Sequence, residues 1–315
     1  MKDASSLSVI LWLDFFIEYE RQKCSIGFRK YELMLPYIAH MSLAARIKAR
    51  IPRRIKGPLA RAALMVRVFR FDVFTWLFLR GEKKYAYFQK KMYDYWAKQS
   101  NYTATSTEDH VVGTYQLQNE WQDYDDYIMR YVDASYTNKL AIDFATGPGR
   151  NIIKYSPRFK RLDGVDISAQ NIENAKENIA AHGLPLPNLY VNNGIDLADV
   201  PSDTYDLVIS TIALQHICVH KIRYSLFEEF YRVLKRGGRI SLQMGYGSDS
   251  PNSVPYLAND YAALQTNGLH DTQVESPDLL RHDLEEIGFT NFEFWIRPSG
   301  PKSPQKEWIY FTATK

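Results

Sequence analysis

The stretch 141-AIDFATGPGRN-151 decides the fold. An apolar run ends on Asp143, and glycines at 147 and 149 lead into a segment of helical character. Glycines in such a turn let the backbone come close to a bound group and aim free N–H groups at it. Two glycines alone are a weak signal, so the flanks must supply the meaning. The next apolar run, in 162-LDGVDIS-168, ends on Asp166, 23 residues after Asp143. A carboxylate at that place is set to accept hydrogen bonds from the two ribose hydroxyls of a nucleoside. The pair of strand ends therefore points to a nucleoside-bearing cofactor without saying which one.

Outward from this turn, short β-branched runs alternate with helical patterns, the mark of βαβ units and a parallel sheet. Strands are expected near 139–144, 161–165, 188–191, 205–210 and 238–244. Helices are expected near 150–156, 169–182 and 219–235, the second with Ile172, Ala175 and Ile179 on one stripe and the third with Phe227, Phe230, Tyr231 and Leu234. The run 235-KRGG-238 reads as the basic, glycine-stopped end of the third helix. A segment rich in Gly, Ser, Asn and Pro follows at 245–273, long for a structureless connection and read as a loop that caps the site. Ser276, Pro277 and Gly288 bracket one more helix. Two aromatic strands, 291-NFEFWIRP-298 and 307-EWIYFTATK-315, then form a hairpin, which makes the last strand antiparallel to its neighbours.

Composition narrows the class. The 315 residues carry 14% aromatics and 24% charged groups, an ordinary globular content. Two cysteines, Cys24 and Cys218, exclude a disulfide framework or a cysteine-built zinc cluster and fit a reducing compartment. Asp14 breaks the apolar opening, and no small-residue cleavage site follows, so a signal peptide is not expected. Arg67, Arg70 and Asp72 interrupt the apolar run 62–80, which argues against a membrane span. The first hundred residues hold 20 Lys and Arg against 8 Asp and Glu, whereas the rest hold 19 against 28. This split marks a basic, aromatic, mainly helical region at 1–110 and a separate domain at 111–315. The basic region suggests an anionic partner: a phosphorylated or lipid-linked substrate, an acidic membrane surface or nucleic acid. Its arginines are spread around a helix rather than gathered on one face, so dimerisation or substrate binding is the plainer role.

Five segments in order, AIDFATGPGRN, LDGVDIS, VNNGIDL (191–197), DLVISTIALQHI (206–217) and FYRVLKRGGRISLQ (230–243), resemble the successive motifs of class I S-adenosylmethionine-dependent methyltransferases over roughly 110–315. The resemblance implies a Rossmann-like seven-stranded sheet with a terminal antiparallel strand, and S-adenosylmethionine as cofactor. It implies that Asp143, Thr146, Gly147 and Gly149 surround the amino-acid end of that cofactor, with Arg150 and Asn151 at the helix start open to cofactor contact or to solvent. Asp166 would take the ribose and Ile167 lie beside the adenine; Asn193, Gly194 and Ile195 would form the adenine edge. Ser210 and Thr211 would lie below the sulfonium. Ala145 replaces the family's first glycine in the loop, so some reshaping of the turn is expected.

Read individually, Asp143 also suits a turn cap and Asp166 a helix N-cap. His216 stands where the fold faces the methyl group and suits a general base; the plainer alternative is a ring packed on the cofactor. Tyr246 and Tyr256, in or beside the long loop, are expected substrate contacts, Tyr246 being the second candidate for catalysis. Tyr115, Trp121 and Tyr124 are expected to be packing aromatics. His220 lies one helical turn beyond His216, but with Leu214 and Gln215 preceding the pair no metal is expected. The region after the fourth strand, "STIA", lacks the signatures of nucleic-acid amino-methylating enzymes, and Cys218 lacks that of the cytosine-5 enzymes. The expectation is methyl transfer to oxygen or nitrogen of a small-molecule or glycan-type acceptor, with a weak likeness to bacterial enzymes of glycan loci. A nucleic-acid methyltransferase and a non-catalytic cofactor-binding protein are the alternatives. The expected location is cytoplasmic, with the inner-membrane surface as the alternative, and the N-terminal region is a candidate for oligomer contacts.

Overall fold

A computed structural model describes residues 78–98, 120–247, 253–262, 271–299 and 306–315. Expectations for residues 1–77 and for Tyr115 lie outside these residues. Five strands expected from the sequence are present as β1 (Leu140–Phe144), β2 (Arg161–Asp166), β3 (Leu189–Val191), β4 (Tyr205–Ser210) and β5 (Leu234–Tyr246). They lie parallel in the order β3-β2-β1-β4-β5. The hairpin β8 (Thr290–Pro298) and β9 (Glu307–Thr314) completes the seven, with β9 antiparallel to both β5 and β8. The expected sheet is thus observed, with one addition. Two short strands from the long loop, β6 (Val254–Pro255) and β7 (Thr272–Val274), pair parallel with each other, and β7 pairs with Gly245 and Tyr246 where β5 outruns β4. Among the described residues the sheet therefore has nine strands.

Helices cover both faces, as a parallel sheet buried on two sides requires. The helices after α1 (Gly81–Ala97) are α2 (Arg150–Tyr155), α3 (Ala169–Ala181), α4 (His220–Val233) and α5 (Pro277–Ile287). One core gathers Ile142, Phe144, Val208, Ile240 and Leu242 with Leu226, Phe227 and Phe230 of α4 and Leu280 and Leu284 of α5. The other gathers Ala141, Leu207, Ile209 and Tyr310 with Ile152, Ala175 and Ile179, and also Trp121 and Tyr124. Trp121 and Tyr124 are packing aromatics, as expected. Successive residues of β1 and β4 feed opposite cores, which is the period of two of a strand.

Two boundaries differ from the sequence reading. The 235-KRGG-238 run is not a helix end: α4 stops at Val233, and the run opens β5 as an irregularity between the pairs Tyr205↔Leu234 and Leu207↔Arg239. Gly237 there has φ +77°, and Gly237 and Gly238 exchange backbone hydrogen bonds with Lys315. The second difference is α1, which was assigned to the N-terminal region. It packs on the sheet domain, within the compact unit Val73–Lys315, because its stripe Tyr85, Phe88, Gln89 and Met92 is buried.

Candidate active site

The turn after β1 is built from left-handed backbone. Ala145, Gly147 and Gly149 have φ of +58°, +55° and +90°. Ala145 thus takes a left-handed conformation that favours glycine, and bears a strain of roughly 1–2 kcal/mol for it. At Gly149 a Cβ would stand 3.3 Å from the Cβ of Ala175, so glycine also lets α3 approach. Asn178 of α3 ties the turn down by donating to the Pro148 carbonyl at 2.9 Å.

Asp143 is wholly buried beside this turn. Its Oδ1 accepts from Asn151 Nδ2 at 3.1 Å, and the same amide donates to Thr211 Oγ1 at 3.0 Å. Its Oδ2 has no hydrogen-bond partner, and neither do Thr146 Oγ1 and Asn151 Oδ1. Burial pushes the Asp143 carboxyl up to about 7, against the opposing pull of Asn151, Thr146 and Arg150. The Thr146 hydroxyl is near enough to ease ionisation yet makes no hydrogen bond of good geometry. Asp163 on β2 gives the contrast. It is equally buried, but Arg161, Tyr205 and the Asn188 backbone satisfy it. A buried carboxylate with its partners present is structural, whereas one facing unpaired acceptors is prepared for a donor from outside the chain.

Asp166 ends β2 and locks the turn to the next helix. It accepts from the backbone N–H groups of Gly147 and Ser168, both at 2.8 Å, and from Asn171 Nδ2 at 3.2 Å. Ser168, not Asp166, is the N-cap of α3. Burial raises the Asp166 carboxyl despite these donors. Oδ2 takes a single donor here and retains acceptor capacity for a hydroxyl. Ile167 and Gly194 meet across the same end of the sheet, where a Cβ on Gly194 would stand 2.6 Å from Ile167 Cδ1 and 3.1 Å from Ala86 Cβ. Asn193 is exposed and spends its side chain on its own turn, accepting from Ile195 N at 2.8 Å and Asp196 N at 2.9 Å. Its side chain thus holds the turn at the expected adenine edge. Its neighbour Asn192 is buried and accepts from Gly194 N. Ser210 is likewise structural: its hydroxyl donates to the Phe144 carbonyl at 3.0 Å. Arg150 is half-buried at the start of α2.

Helix α1, within the region read as helical, packs beside the site, which the sequence reading did not foresee. It runs from the loop after β4, past Ile167 and Gly194, to α3. Asp94 accepts from Ser168 Oγ at 2.6 Å, and the Ala97 carbonyl accepts from Asn174 Nδ2 at 2.7 Å. At the other end the buried Tyr85 hydroxyl donates to the His216 carbonyl and accepts from Gln89 Nε2 and Cys218 N. All three hydrogen-bonding positions of that phenol are used. The signal for α1 was its helical stripe of Tyr85, Phe88, Gln89 and Met92 inside a lysine-rich run.

His216 sits on a 3-10 turn, Leu214–His216, after β4. Its Nδ1 lies 2.7 Å from Asp271 Oδ1, with the His216 side chain 19% and the Asp271 side chain 5% exposed. His220 does not join it, because His220 Nε2 pairs with Asp283 at 2.8 Å. Tyr256 is fully buried and donates to the same Asp283 oxygen at 2.6 Å, so it is a structural residue and not a substrate contact. Tyr246 is half-buried and packs on the α4 and α5 side core. The buried Arg223 donates to the carbonyls of Ile217 and Tyr256 and to Thr272 Oγ1, pinning Tyr256 and β7 against the loop that carries His216.

A parallel sheet ordered β3-β2-β1-β4-β5, closed by an antiparallel β9 and carrying acidic strand ends beside a left-handed glycine turn, defines a nucleoside-cofactor fold of the Rossmann-like methyltransferase type. Residues 141–238 match the family described as "Methyltransferase domain", and the sheet that holds them has the fold of class I S-adenosylmethionine-dependent methyltransferases. Two curated proteins are similar in sequence. The S-adenosyl-L-methionine-dependent Diels-Alderase iliD of Neonectria sp. is 24% identical over 54% of this chain and 65% of its own, so the chain spans less than two-thirds of that relative. An uncharacterized methyltransferase of Schizosaccharomyces pombe is 26% identical over 58% of this chain and 71% of its own. Among solved structures, a putative methyltransferase from Bacillus halodurans is 18% identical, with a TM-score of 0.48 over 62% of this chain and 99% of that one.

The site fits S-adenosylmethionine. Asp143 Oδ2, Thr146 Oγ1 and Asn151 Oδ1 are buried acceptors without a partner in the chain, as the cofactor's ammonium requires. Asp166 keeps acceptor capacity for a ribose hydroxyl, and Ile167 and Gly194 offer an apolar edge to a base.

Proposed function

We propose that the protein transfers the methyl group of S-adenosylmethionine to an oxygen or nitrogen of a small-molecule or glycan-type acceptor, with His216 as general base for a hydroxyl. The observation that carries the reading is the placement of His216. It is part-buried on the turn that leaves β4, the strand whose following residue, Thr211, is bonded to the Asn151–Asp143 pair. A base at that position needs only to hold an acceptor in line and take its proton. Lys83, Lys84, Lys90 and Lys91 lie along α1 away from its packed stripe, with Lys98 just past its end, and support an anionic group on the acceptor or on its carrier. One relative is named a Diels-Alderase, which favours a second reading in which the cofactor stays intact while the acceptor rearranges.

Methyl-labelled S-adenosylmethionine, incubated with small-molecule, glycan and nucleic-acid fractions, tests this. Label should enter a hydroxyl- or amine-bearing small molecule or glycan, and His216→Ala should slow that transfer by about 10² to 10⁴ if the acceptor is a hydroxyl. Label in nucleic acid would overturn the acceptor class. A rearranged, unlabelled product would establish the second reading.

A further inference from the structure

We propose that Asp271 fixes His216 in the tautomer protonated on Nδ1, so that Nε2 is the nitrogen that takes the acceptor's proton, and that the residue leading into β7 therefore supplies half of the base. This rests on the reading of His216 as base. The 2.7 Å contact is short for nitrogen and oxygen and falls in the range of charge-assisted pairs. An ionised carboxylate only accepts, so the shared proton belongs to Nδ1 and the lone pair to Nε2. In the reaction the acceptor's proton passes to Nε2, Asp271 balances the imidazolium without taking the proton, and the ring later returns it to solvent.

Both partners are held independently of any acceptor. The His216 amide donates to Ala213 O at 3.0 Å, and its carbonyl is held by Tyr85 and Gln89 of α1. Asp271 precedes β7, and its carbonyl accepts from Val254 N at 2.9 Å, which ties it to β6. The next residue, Thr272, accepts from Arg223 Nη1 at 3.1 Å. Asp260 N donates to Cys218 O at 3.0 Å, and His220 N to Ala258 O at 2.9 Å, so Ala258 and Asp260 are fastened to the chain just after His216. Beside the turn that carries His216 lie Tyr85 and Cys218, both neutral because burial raises them, the cationic Arg223, which is aimed at backbone carbonyls, His220, which is paired with Asp283, and Asp260, whose charge acts on Cys218. The carboxylate that meets the ring is Asp271. A loop that only covered the site would not need a buried acid aimed at the histidine.

The test uses the full chain with bound S-adenosylhomocysteine and ¹⁵N-labelled histidine, reading the tautomer of His216 by NMR, with the signal assigned by its loss in His216→Gln. The wild type should show protonated Nδ1. Asp271→Asn, nearly isosteric, should bind S-adenosylhomocysteine as the wild type does but populate protonated Nε2, because its amide can donate to Nδ1. With the labelled acceptor fraction it should lose about 10² to 10⁴ in kcat at little change in KM, and Asp271→Glu should recover part of that loss. Protonated Nε2 in the wild type, or an unchanged tautomer and kcat in Asp271→Asn, would overturn the proposal. If Asp271→Asn switches the tautomer while His216→Gln turns over normally, the base reading fails, and with it the catalytic half of the proposal.

Discussion

Asp143→Asn should make the cofactor-free protein more stable at pH 8 and nearly indifferent at pH 4. Asp143 is wholly buried, and its carboxyl is raised from an ordinary 3.8 to about 7. A raised carboxyl binds its proton more tightly in the folded than in the unfolded chain. Its stabilising contribution is therefore complete below the unfolded value of 3.8 and is lost as pH rises towards 7. A shift of about three units corresponds to about 4 kcal/mol lost by pH 8. Asparagine keeps the acceptor oxygen for Asn151 and never ionises, so it escapes that loss. For a domain of this size the gain amounts to a rise in Tm on the order of 10 °C. Denaturant and thermal melts of both proteins from pH 4 to pH 8 give the difference directly. The same substitution removes the charge that faces the cofactor's ammonium, so affinity should fall by roughly 1.5–3 kcal/mol while stability rises. A variant that is less stable than wild type at pH 8, or a difference that does not change with pH, would refute the reasoning.

Asp166→Ala should weaken S-adenosylmethionine by about 1.5–3 kcal/mol in calorimetry, since a charged acceptor for the ribose is lost, and should also lower Tm because the Gly147 and Ser168 amides lose their partner. Tyr85→Phe strands the buried Cys218 amide and should cost about 1–3 kcal/mol in urea melts, with most of the effect on the loop carrying His216 in hydrogen exchange. Gly194→Ala puts a methyl against Ile167 and Ala86, so it should loosen α1 and raise the Kd for the adenine-bearing cofactor by at least about tenfold; an unchanged Kd would move the adenine elsewhere.

The strands along the chain were legible because apolar runs close on Asp143, Asp166 and Ser210, and because the aromatic hairpin after α5 announces its antiparallel closure. Helix α1 was obscured by Lys83, Lys84, Lys90 and Lys91, whose charge dominates the composition although Tyr85, Phe88, Gln89 and Met92 form a buried stripe. Asn192 and Asn193 show how one residue of register decides a role, since the first is buried beside Gly194 and the second faces solvent. Asp271 stands 55 residues from His216, in a segment without periodicity, so only the folded path of β6 and β7 brings the two together. Tyr256 looked like a loop aromatic open to substrate. The buried Arg223 and Asp283, on α4 and α5, instead draw its backbone and hydroxyl into the core.

Isothermal titration of the full chain with S-adenosylmethionine, S-adenosylhomocysteine and nicotinamide dinucleotides tests the central claim. Asp143, Asp166 and the left-handed glycine turn predict saturable one-to-one binding of both methionine nucleosides, weakened by Asp143→Asn and Asp166→Ala, and no binding of the dinucleotides. Binding of a dinucleotide with neither methionine nucleoside bound would contradict it.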